Sequence, residues 1–278
     1  MNIDFITFVS GDVADYANFL RKTASTFMSG KNTINWKYVE SVGLTEEPEG
    51  YLKVAKTGNA NHSSFNHSLA LNEAANHIDA DYVMYVDADI AILCQDWDEI
   101  IIKELNKVDC FGFGFGRDNP RHSNFPGVFL FAFKASMLDK LILDFRPKLR
   151  DKNTESVYRY SLIDPKEAGY MGKKVGEIIK CDTGWQIPNI VGEAGCTWKA
   201  LSCVLGKDKR HKLPFKDSSQ KQFCLQKPEH MCEWHYNGEL FGTHKQACRN
   251  HRLNSEWGRT WVNRINLYTK NRYNISID

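Results

Sequence analysis

The sequence lacks the features that would indicate a membrane-anchored, secreted or repetitive protein. No apolar run approaches the ~20 residues that span a bilayer. No basic segment with a cleavage site precedes the first strand-like run, Ile3 to Val9, and there is no internal repeat or low-complexity segment. At 278 residues, the chain can bury a full core. We therefore expect a cytoplasmic globular protein without a transmembrane segment.

The chain has little net charge, +2 at pH 7, but the charge is unevenly distributed. From Lys199 to residue 278, basic residues outnumber acidic ones about two to one, whereas acidic residues predominate before Lys199. A basic C-terminal third favours a polyanionic ligand, either a diphosphate or something longer. A scattered, solvated surface is the alternative interpretation.

The eight cysteines lack the paired CxxC or HxxxH spacing of common zinc modules. In a reducing compartment, we expect most of them to be free thiols. A structural zinc site remains an alternative for four residues that lie close together in the chain: Cys224, His230, Cys232 and His235.

Strand-like and helix-like segments alternate through the first half of the chain, which predicts an α/β fold with a doubly wound, mostly parallel sheet flanked by helices. Strands are predicted at Ile3–Val9, Ile34–Val42, Leu52–Ala55, Tyr82–Val86 and Val128–Phe133. Helices are predicted over 13–28, from Ser63 or Ser64 to Ile78, and over 97–107, 135–144 and 255–268. The uninterrupted apolar run at residues 82–86 is typical of a parallel strand covered on both faces.

Two carboxylates, Asp87 and Asp89, follow that apolar strand at its C-terminal end. Ligands bind at this edge in open α/β sheets. Residues i and i+2 of an extended chain point to the same side, so the two acidic groups repel each other unless a cation lies near them. Hard oxygen ligands suit Mg²⁺ or Mn²⁺, and small Ala88 leaves room for a nucleotide. The pattern predicts a divalent-metal site; a charged turn is the alternative.

Residues 66–93, NHSLALNEAANHIDADYVMYVDADIAIL, resemble the core signature of GT-A-fold glycosyltransferases, especially those similar to family 2. The resemblance is specific over residues 1–133 and general beyond. It implies a DxD motif, with Asp89 binding the metal directly and Asp87 contacting the donor ribose or a metal-bound water. It also implies that residues 1–144 form the nucleotide-sugar-binding half. Residues 145–278 would then form the acceptor-side half with an irregular, basic C-terminal extension, in one continuous domain.

The same resemblance implies contacts with a nucleoside-diphosphate sugar, UDP-sugar before others. The loop after the first strand, Phe8 to Asp12 and including Ser10, would hold the base. Glu40 would lie near the base or ribose, and His67 would approach the nucleotide from the start of a helix. A structural role is the alternative for each of these residues.

GT-A enzymes often take a third metal ligand from a histidine far down the chain, and His244 in the segment LFGTH resembles that ligand. A neutral imidazole together with two carboxylates suits Mn²⁺. Lys245 and Arg249 would then neutralise the diphosphate leaving group, whose developing charge must be stabilised. His235 is the competing ligand.

The base that takes the proton of the acceptor hydroxyl is harder to assign. Asp182, before Thr183-Gly184-Trp185, is the candidate, and a helix cap is its alternative role. Trp185 would stack on a sugar or belong to the core. The acidic pair usual in the family at this point is not reproduced, so the resemblance does not fix an inverting outcome.

We therefore predict a metal-dependent glycosyltransferase whose acceptor is a glycan or a hydroxylated base in DNA. The DNA case rests on the basic C-terminal third with its interleaved Trp257, Trp261 and Tyr268. A nucleotidyltransferase is one alternative, although the loop Ser10-Gly11-Asp12-Val13 lacks the basic residues usual in that class. A non-catalytic, zinc-stabilised nucleic-acid-binding protein is the other.

Overall fold

The computed structural model describes most of the chain, which forms two β-sheets and five α-helices within the described ranges. The described residues are 1–11, 13–41, 43–57, 63–114, 125–146, 183–184, 186–205, 232–245 and 252–277. Among them, no helix combines the length and the apolar composition that crossing a bilayer requires.

The large sheet has seven strands in the order β3-β2-β1-β4-β7-β6-β8. These are β1 (Asn2–Val9), β2 (Thr33–Glu40), β3 (Leu52–Lys56), β4 (Tyr82–Asp87), β6 (Cys110–Gly114), β7 (Pro126–Lys134) and β8 (Trp198–Leu201). All of them run in one direction except β7, which is antiparallel to both of its neighbours. The predicted α/β fold with a mostly parallel sheet flanked by helices is confirmed.

A small antiparallel sheet, which the sequence did not predict, joins the middle of the chain to its late part. Its strands are β5 (Ile90–Ile92), β9 (Cys203–Leu205), β10 (Cys232–Tyr236) and β11 (Glu239–His244), in the order β5-β11-β10-β9. The predicted irregular C-terminal extension is not confirmed, because the described residues 232–245 form a hairpin and α5 is a regular helix of 18 residues. The division into halves at residue 144 stays a prediction.

The helices cover both faces of the large sheet. They are α1 (Ala14–Phe27), α2 (Ser63–Ala74), α3 (Trp97–Leu105), α4 (Ile187–Glu193) and α5 (Glu256–Tyr273). One apolar cluster joins α1, α3, α5 and the small sheet to one face, and a second joins α2 and α4 to the other. Strand β4 contributes Met84 and Val86 to the first cluster and Val83 and Tyr85 to the second, which is why its sequence is apolar without a break.

One predicted helix is wrong. Residues 135–144 were expected to be helical, but only a short 3-10 helix, Ala135–Asp139, forms there. The chain then leaves helical geometry because other groups hold its backbone: the side chain of Asn72 accepts a hydrogen bond from the Phe145 backbone N–H at 2.9 Å. Phe145 is buried against Tyr85, with ring centroids 5.9 Å apart.

The register of three parallel strands brings their carboxyl ends to one edge of the sheet. Phe8 of β1 lies opposite Asp87 of β4, and Val9 of β1 lies opposite Glu40 of β2. The loop that follows β1 meets the loop that follows β2 at two glycines, Gly11 and Gly43, with φ angles of 61° and 79°. Such angles are in the left-handed region that favours glycine. Three of the residues predicted to contact the donor, Phe8, Glu40 and Asp87, therefore lie at a common edge.

Candidate metal centre

Asp87 is the last residue of β4, and Asp89 lies in the two-residue turn that leads into β5. The prediction that the two carboxylates lie on one side of a continuous extended strand is wrong, because the chain turns at Ala88 and Asp89. Asp89 is buried, whereas Asp87 is partly exposed. The turn nevertheless keeps the two carboxylates close together.

Strand β11 carries His244 to this turn from the other end of the chain. It pairs with β5 so that His244 lies opposite Ile90, and the Lys245 backbone N–H donates to the Asp89 carbonyl at 2.9 Å. The Nε2 atom of His244 lies 3.0 Å from Oδ1 of Asp89, although 155 positions separate the two residues. Backbone pairing therefore fixes the imidazole beside the carboxylate.

Asp87, Asp89 and His244 offer three ligand atoms that all lie within 4.8 Å of one another. Two carboxylate oxygens and one imidazole nitrogen fit a hard or intermediate divalent cation such as Mg²⁺ or Mn²⁺. The structure thus brings together the three residues that the sequence predicted as metal ligands. Their role as ligands stays a prediction.

The acidic pair controls the protonation of His244. Burial acts to lower the pKa of His244, but the charge of Asp89, its hydrogen bond and the charge of Asp87 outweigh burial and raise that pKa to about 9. The imidazole is therefore protonated at neutral pH when no cation is bound, and its positive charge compensates the acidic pair. A cation that binds His244 must displace the imidazole proton, because a metal-ligating histidine is neutral.

Two aromatic rings hold the His244 imidazole in place. Phe129 and Trp234 stack near it, with centroid distances of 5.7 and 6.3 Å. Trp234 is itself fixed, since its Nε1–H donates to the Gly114 carbonyl at 2.7 Å and its indole stacks on Phe113 at 4.3 Å. The sequence reasoning missed both rings around the imidazole.

A signal for the hairpin that carries Trp234 and His244 is present in the sequence. Asn237-Gly238 separates two strand-like runs, and this dipeptide favours a two-residue hairpin turn. Both residues have positive φ angles, 51° and 83°, as that turn requires. The signal predicts the β10–β11 hairpin but not its pairing with β5, which depends on the rest of the fold.

On the other side of the cluster, His67 contacts Asp87. Its Nε2 atom lies 3.1 Å from Oδ1 of Asp87, although the geometry does not make a well-directed hydrogen bond. Phe8 packs between His67 and Tyr85, with a ring-centroid distance of 5.5 Å to each. Phe8 is thus largely a packing residue at the floor of the site, and Ser10 follows it in the partly exposed loop after β1.

Glu40 lies at the predicted sheet edge, but its carboxylate already has partners. Lys53 and Lys56 of β3 form ion pairs with it, the second at 2.6 Å, and their hydrogen bonds lower the pKa of Glu40. A carboxylate held by two ammonium groups is a weaker acceptor for a ribose hydroxyl or a base. These ion pairs were not predicted, because they depend on the register between β2 and β3.

Some of the remaining predicted residues lie within the described ranges, and the others lie outside them. Lys245 lies next to His244 and is buried. The competing ligand His235 is not part of the three-residue cluster; its Nε2 atom lies 3.5 Å from Oε2 of Glu233. Cys232 is buried, is not in a disulfide among the described residues, and lies opposite His244 in the β10–β11 pairing. Five residues named in the sequence analysis lie outside the described ranges: Asp182, Trp185, Cys224, His230 and Arg249.

Comparison with protein-family models and with curated proteins gives no match. Comparison with solved structures gives several matches. The mannosyltransferase PcManGT from Pyrobaculum calidifontis, in complex with GDP-Man and Mn²⁺, is 13% identical with a TM-score of 0.43, over 80% of this chain and 60% of that one. The galactosyltransferase LgtC, in complex with donor and acceptor sugar analogues, is 10% identical with a TM-score of 0.34, over 49% of this chain and 59% of that one.

A third match, S. aureus TarS 1-349 in complex with UDP, is 13% identical with a TM-score of 0.36, over 52% of this chain and 50% of that one. This chain thus spans 60% or less of the length of each of the three. Two of them are named as glycosyltransferases, the class that residues 66–93 resemble. At these identities and TM-scores, the likeness establishes neither an activity nor the role of any residue.

Proposed function

We propose that this protein is a divalent-metal-dependent glycosyltransferase that moves a sugar from a nucleoside-diphosphate sugar to an acceptor hydroxyl. The observation that carries the proposal is the convergence of Asp87, Asp89 and His244 within 4.8 Å at the carboxyl edge of a mostly parallel sheet. Nucleotides bind at that edge in open α/β folds, and a carboxylate-held cation there binds substrate phosphates.

In the proposed reaction, the bond between the anomeric carbon and the diphosphate oxygen breaks, and its electron pair leaves with the nucleoside diphosphate. The anomeric carbon then bonds to the acceptor oxygen, whose proton passes to a base. A bound Mn²⁺ or Mg²⁺ supplies positive charge that stabilises the leaving diphosphate. Asp89 and His244 hold the cation, and Asp87 contacts it or the donor ribose.

The other side chains at the edge position the donor. Ser10 and the backbone after β1 face the base, and His67 orients Asp87 from the opposite side at 3.1 Å. Lys245, whose backbone N–H is bound to the Asp89 carbonyl, supplies a positive charge for the diphosphate together with Arg249. Phe8 forms the floor beneath these groups, and Glu40 acts mainly through its ion pairs with Lys53 and Lys56.

The acceptor is a hydroxyl of a glycan or of a hydroxylated base in DNA, and Asp182 is the proposed base. Mass spectrometry of oligosaccharides and of duplex DNA containing hydroxymethylated pyrimidines, after incubation with mixed sugar nucleotides, distinguishes the two acceptors. A mass increase of one sugar on the DNA assigns the second case, and an increase only on the oligosaccharide assigns the first.

Donor hydrolysis tests the central claim without an acceptor. The protein is incubated with a panel of UDP- and GDP-sugars in MnCl₂, in MgCl₂ or in EDTA, and the released nucleoside diphosphate is measured. We expect the release to depend on metal and Asp89→Asn to lower its rate by ~100-fold or more. Replacing a residue that only supports a metal ligand already costs about 10–100-fold in metal affinity or activity.

The matched control is Asp81→Asn, because exposed Asp81 lies at the opposite end of the same strand, just before β4. This variant should release nucleotide at the parental rate. Equal hydrolysis by Asp89→Asn and the parent protein would contradict the proposed function.

A further inference from the structure

Lys245 is a lysine whose side chain is almost completely buried beside the candidate metal centre. The residue is 1% exposed. Its backbone N–H donates to the carbonyl of Asp89 at 2.9 Å, so its side chain starts directly next to the acidic pair. Lysine is among the residues least often fully buried. The groups packed around this ammonium therefore decide how easily a ligand can reach it.

Trp257 lies over this ammonium. The Nζ atom of Lys245 is 6.0 Å from the centroid of the indole ring, which is the range at which the face of an aromatic ring attracts a cation. Trp257 is 39% exposed. The indole thus has one side toward Lys245 and a substantial area in contact with solvent.

The turn that carries Trp257 is held firmly against α1. Ser255 caps α5, and its side-chain oxygen accepts a hydrogen bond from the Gly258 N–H at 3.2 Å. Gly258 approaches the backbone so closely that a Cβ atom there would lie 2.1 Å from the Leu253 carbonyl oxygen. The Leu253 N–H in turn donates to Asp15 of α1 at 3.1 Å. The backbone under Trp257 is therefore fixed, and the indole can move only by rotation of its own side chain.

We propose that Trp257 is a specificity-determining residue: its indole covers the Lys245 ammonium and is displaced by the diphosphate of the donor. This deepens the proposed function and rests on it. A cation–π contact is a weak attraction, because the ring carries no net charge. A hydrogen bond between an ammonium and a phosphate oxygen is charge-assisted on both sides and is stronger. An anionic diphosphate therefore displaces the indole, whereas a neutral sugar does not.

Chemical labelling of Lys245 tests the cover directly. The folded protein is treated briefly with an acetylating N-hydroxysuccinimide ester, and modification at each lysine is measured by mass spectrometry, with exposed Lys270 as the internal reference. We expect Trp257→Ala to raise labelling of Lys245 about fivefold, the factor that corresponds to a contact of about 1 kcal/mol, and Trp257→Phe to raise it less.

Trp198→Ala is the matched control, because Trp198 is 38% exposed but lies on β8, the edge strand of the large sheet. Labelling of Lys245 in this variant should equal that of the parent. Thermal unfolding followed by circular dichroism verifies that each variant is folded. If Lys245 is labelled no faster in Trp257→Ala than in Trp198→Ala, the indole does not cover the ammonium. This conclusion holds whatever nucleotides the protein binds.

Protection experiments on Trp257→Ala test what displaces the indole and separate this proposal from the proposed function. Inorganic pyrophosphate, UDP and GDP are each added with MgCl₂, and we expect all three to slow acetylation of Lys245. Protection by pyrophosphate but not by either nucleotide supports the cover and counts against a nucleotide-sugar donor. Protection by none of the three overturns the claim that a diphosphate reaches Lys245, and donor hydrolysis then reports on the proposed function independently.

Discussion

The imidazole of His244 lies 3.0 Å from the carboxylate of Asp89, and this contact joins the last residue of β11 to the turn after β4. It depends on the pairing of β5 with β11, which places His244 opposite Ile90. A local motif is thereby completed by a residue from the other half of the chain.

The pH dependence of stability should report on His244. Its pKa in the metal-free protein is raised from the ordinary histidine value of 6.5 to about 9. The stabilising contribution of the protonated imidazole is therefore fully present below about pH 6.5. That contribution is lost as the pH rises through about 9. We expect the free energy of unfolding of EDTA-treated protein, measured by urea denaturation, to decline over this window, and His244→Gln to lack this component of the decline.

Metal should alter the same profile. With saturating MnCl₂ the imidazole is held neutral as a ligand, so the proton-linked decline should become smaller. His77→Gln serves as the control, since His77 pairs with Glu73 on the surface at 3.0 Å and should leave the profile of the metal-free protein in this window almost unchanged. A His244→Gln profile identical to that of the parent would show that the imidazole is not protonated by its acidic neighbours.

The substitution Gly242→Ala should disturb the candidate metal centre from two residues away. A Cβ atom at Gly242 would lie 2.7 Å from the Ala91 carbonyl oxygen and 3.0 Å from the Phe113 ring, so β11 must move away from β5. We expect a loss of about 1–3 kcal/mol in the free energy of unfolding. We also expect weaker Mn²⁺ binding by calorimetry, because His244 moves with the strand.

Gly192→Ala is the control for this substitution. A Cβ atom there meets only the Trp198 ring, at 3.8 Å, and Gly192 lies within α4. Alanine should therefore stabilise the helix by roughly 0.5–1 kcal/mol and leave Mn²⁺ binding unchanged. Parental stability and Mn²⁺ affinity in Gly242→Ala would mean that the β5–β11 contact is looser than the structure shows.

Trp234→Phe should cost stability mainly through one hydrogen bond. The Nε1–H of Trp234 donates to the buried Gly114 carbonyl at 2.7 Å, and phenylalanine leaves that carbonyl without its donor. We expect a loss of about 1–3 kcal/mol in the free energy of unfolding by urea denaturation. Trp198→Phe, at an exposed indole, should change it by no more than about 0.5 kcal/mol. Equal losses in the two variants would rule out this account.

Glu104 should control stability in acid. It is 2% exposed, and burial acts to raise its pKa, but hydrogen bonds from Lys199 and Tyr236 at 2.8 and 2.7 Å outweigh burial and lower that pKa to about 2. The contribution of a carboxylate with a lowered pKa is present above about pH 4.5 and is lost as the pH falls through about 2.

Glu104→Gln should therefore lower the free energy of unfolding at pH 7 by an amount on the order of 3 kcal/mol and flatten its fall between about pH 4.5 and 2. Glu99→Gln, on the same helix with a side chain 40% exposed, is the control and should resemble the parent. Urea denaturation across this pH range checks both. An acid profile of Glu104→Gln as steep as that of the parent would argue against the ion-pair network.

The local parts of this protein follow from short stretches of its sequence. The apolar run before Asp87 requires a strand covered on both faces, and the register of β1, β2 and β4 then brings their ends to one edge, as the alternation of strands and helices predicts. Periodicity also predicts α5, which begins at Glu256 within one residue of the expected start. These features depend on neighbouring residues, so they can be read from spacing and side-chain type.

The completion of the candidate metal centre depends on contacts between distant chain segments. Strand β5 has three residues, too few for a periodic signal, and its pairing with β11 is non-local. The ion pairs that occupy Glu40, the rings that hold His244 and the indole over Lys245 likewise come from the packing of distant segments. The carboxylate pair of Asp87 and Asp89 follows from the local sequence, and the family resemblance implies His244. The contact of His244 with Asp89 and the charges around it depend on chain segments that meet only when the sheets assemble.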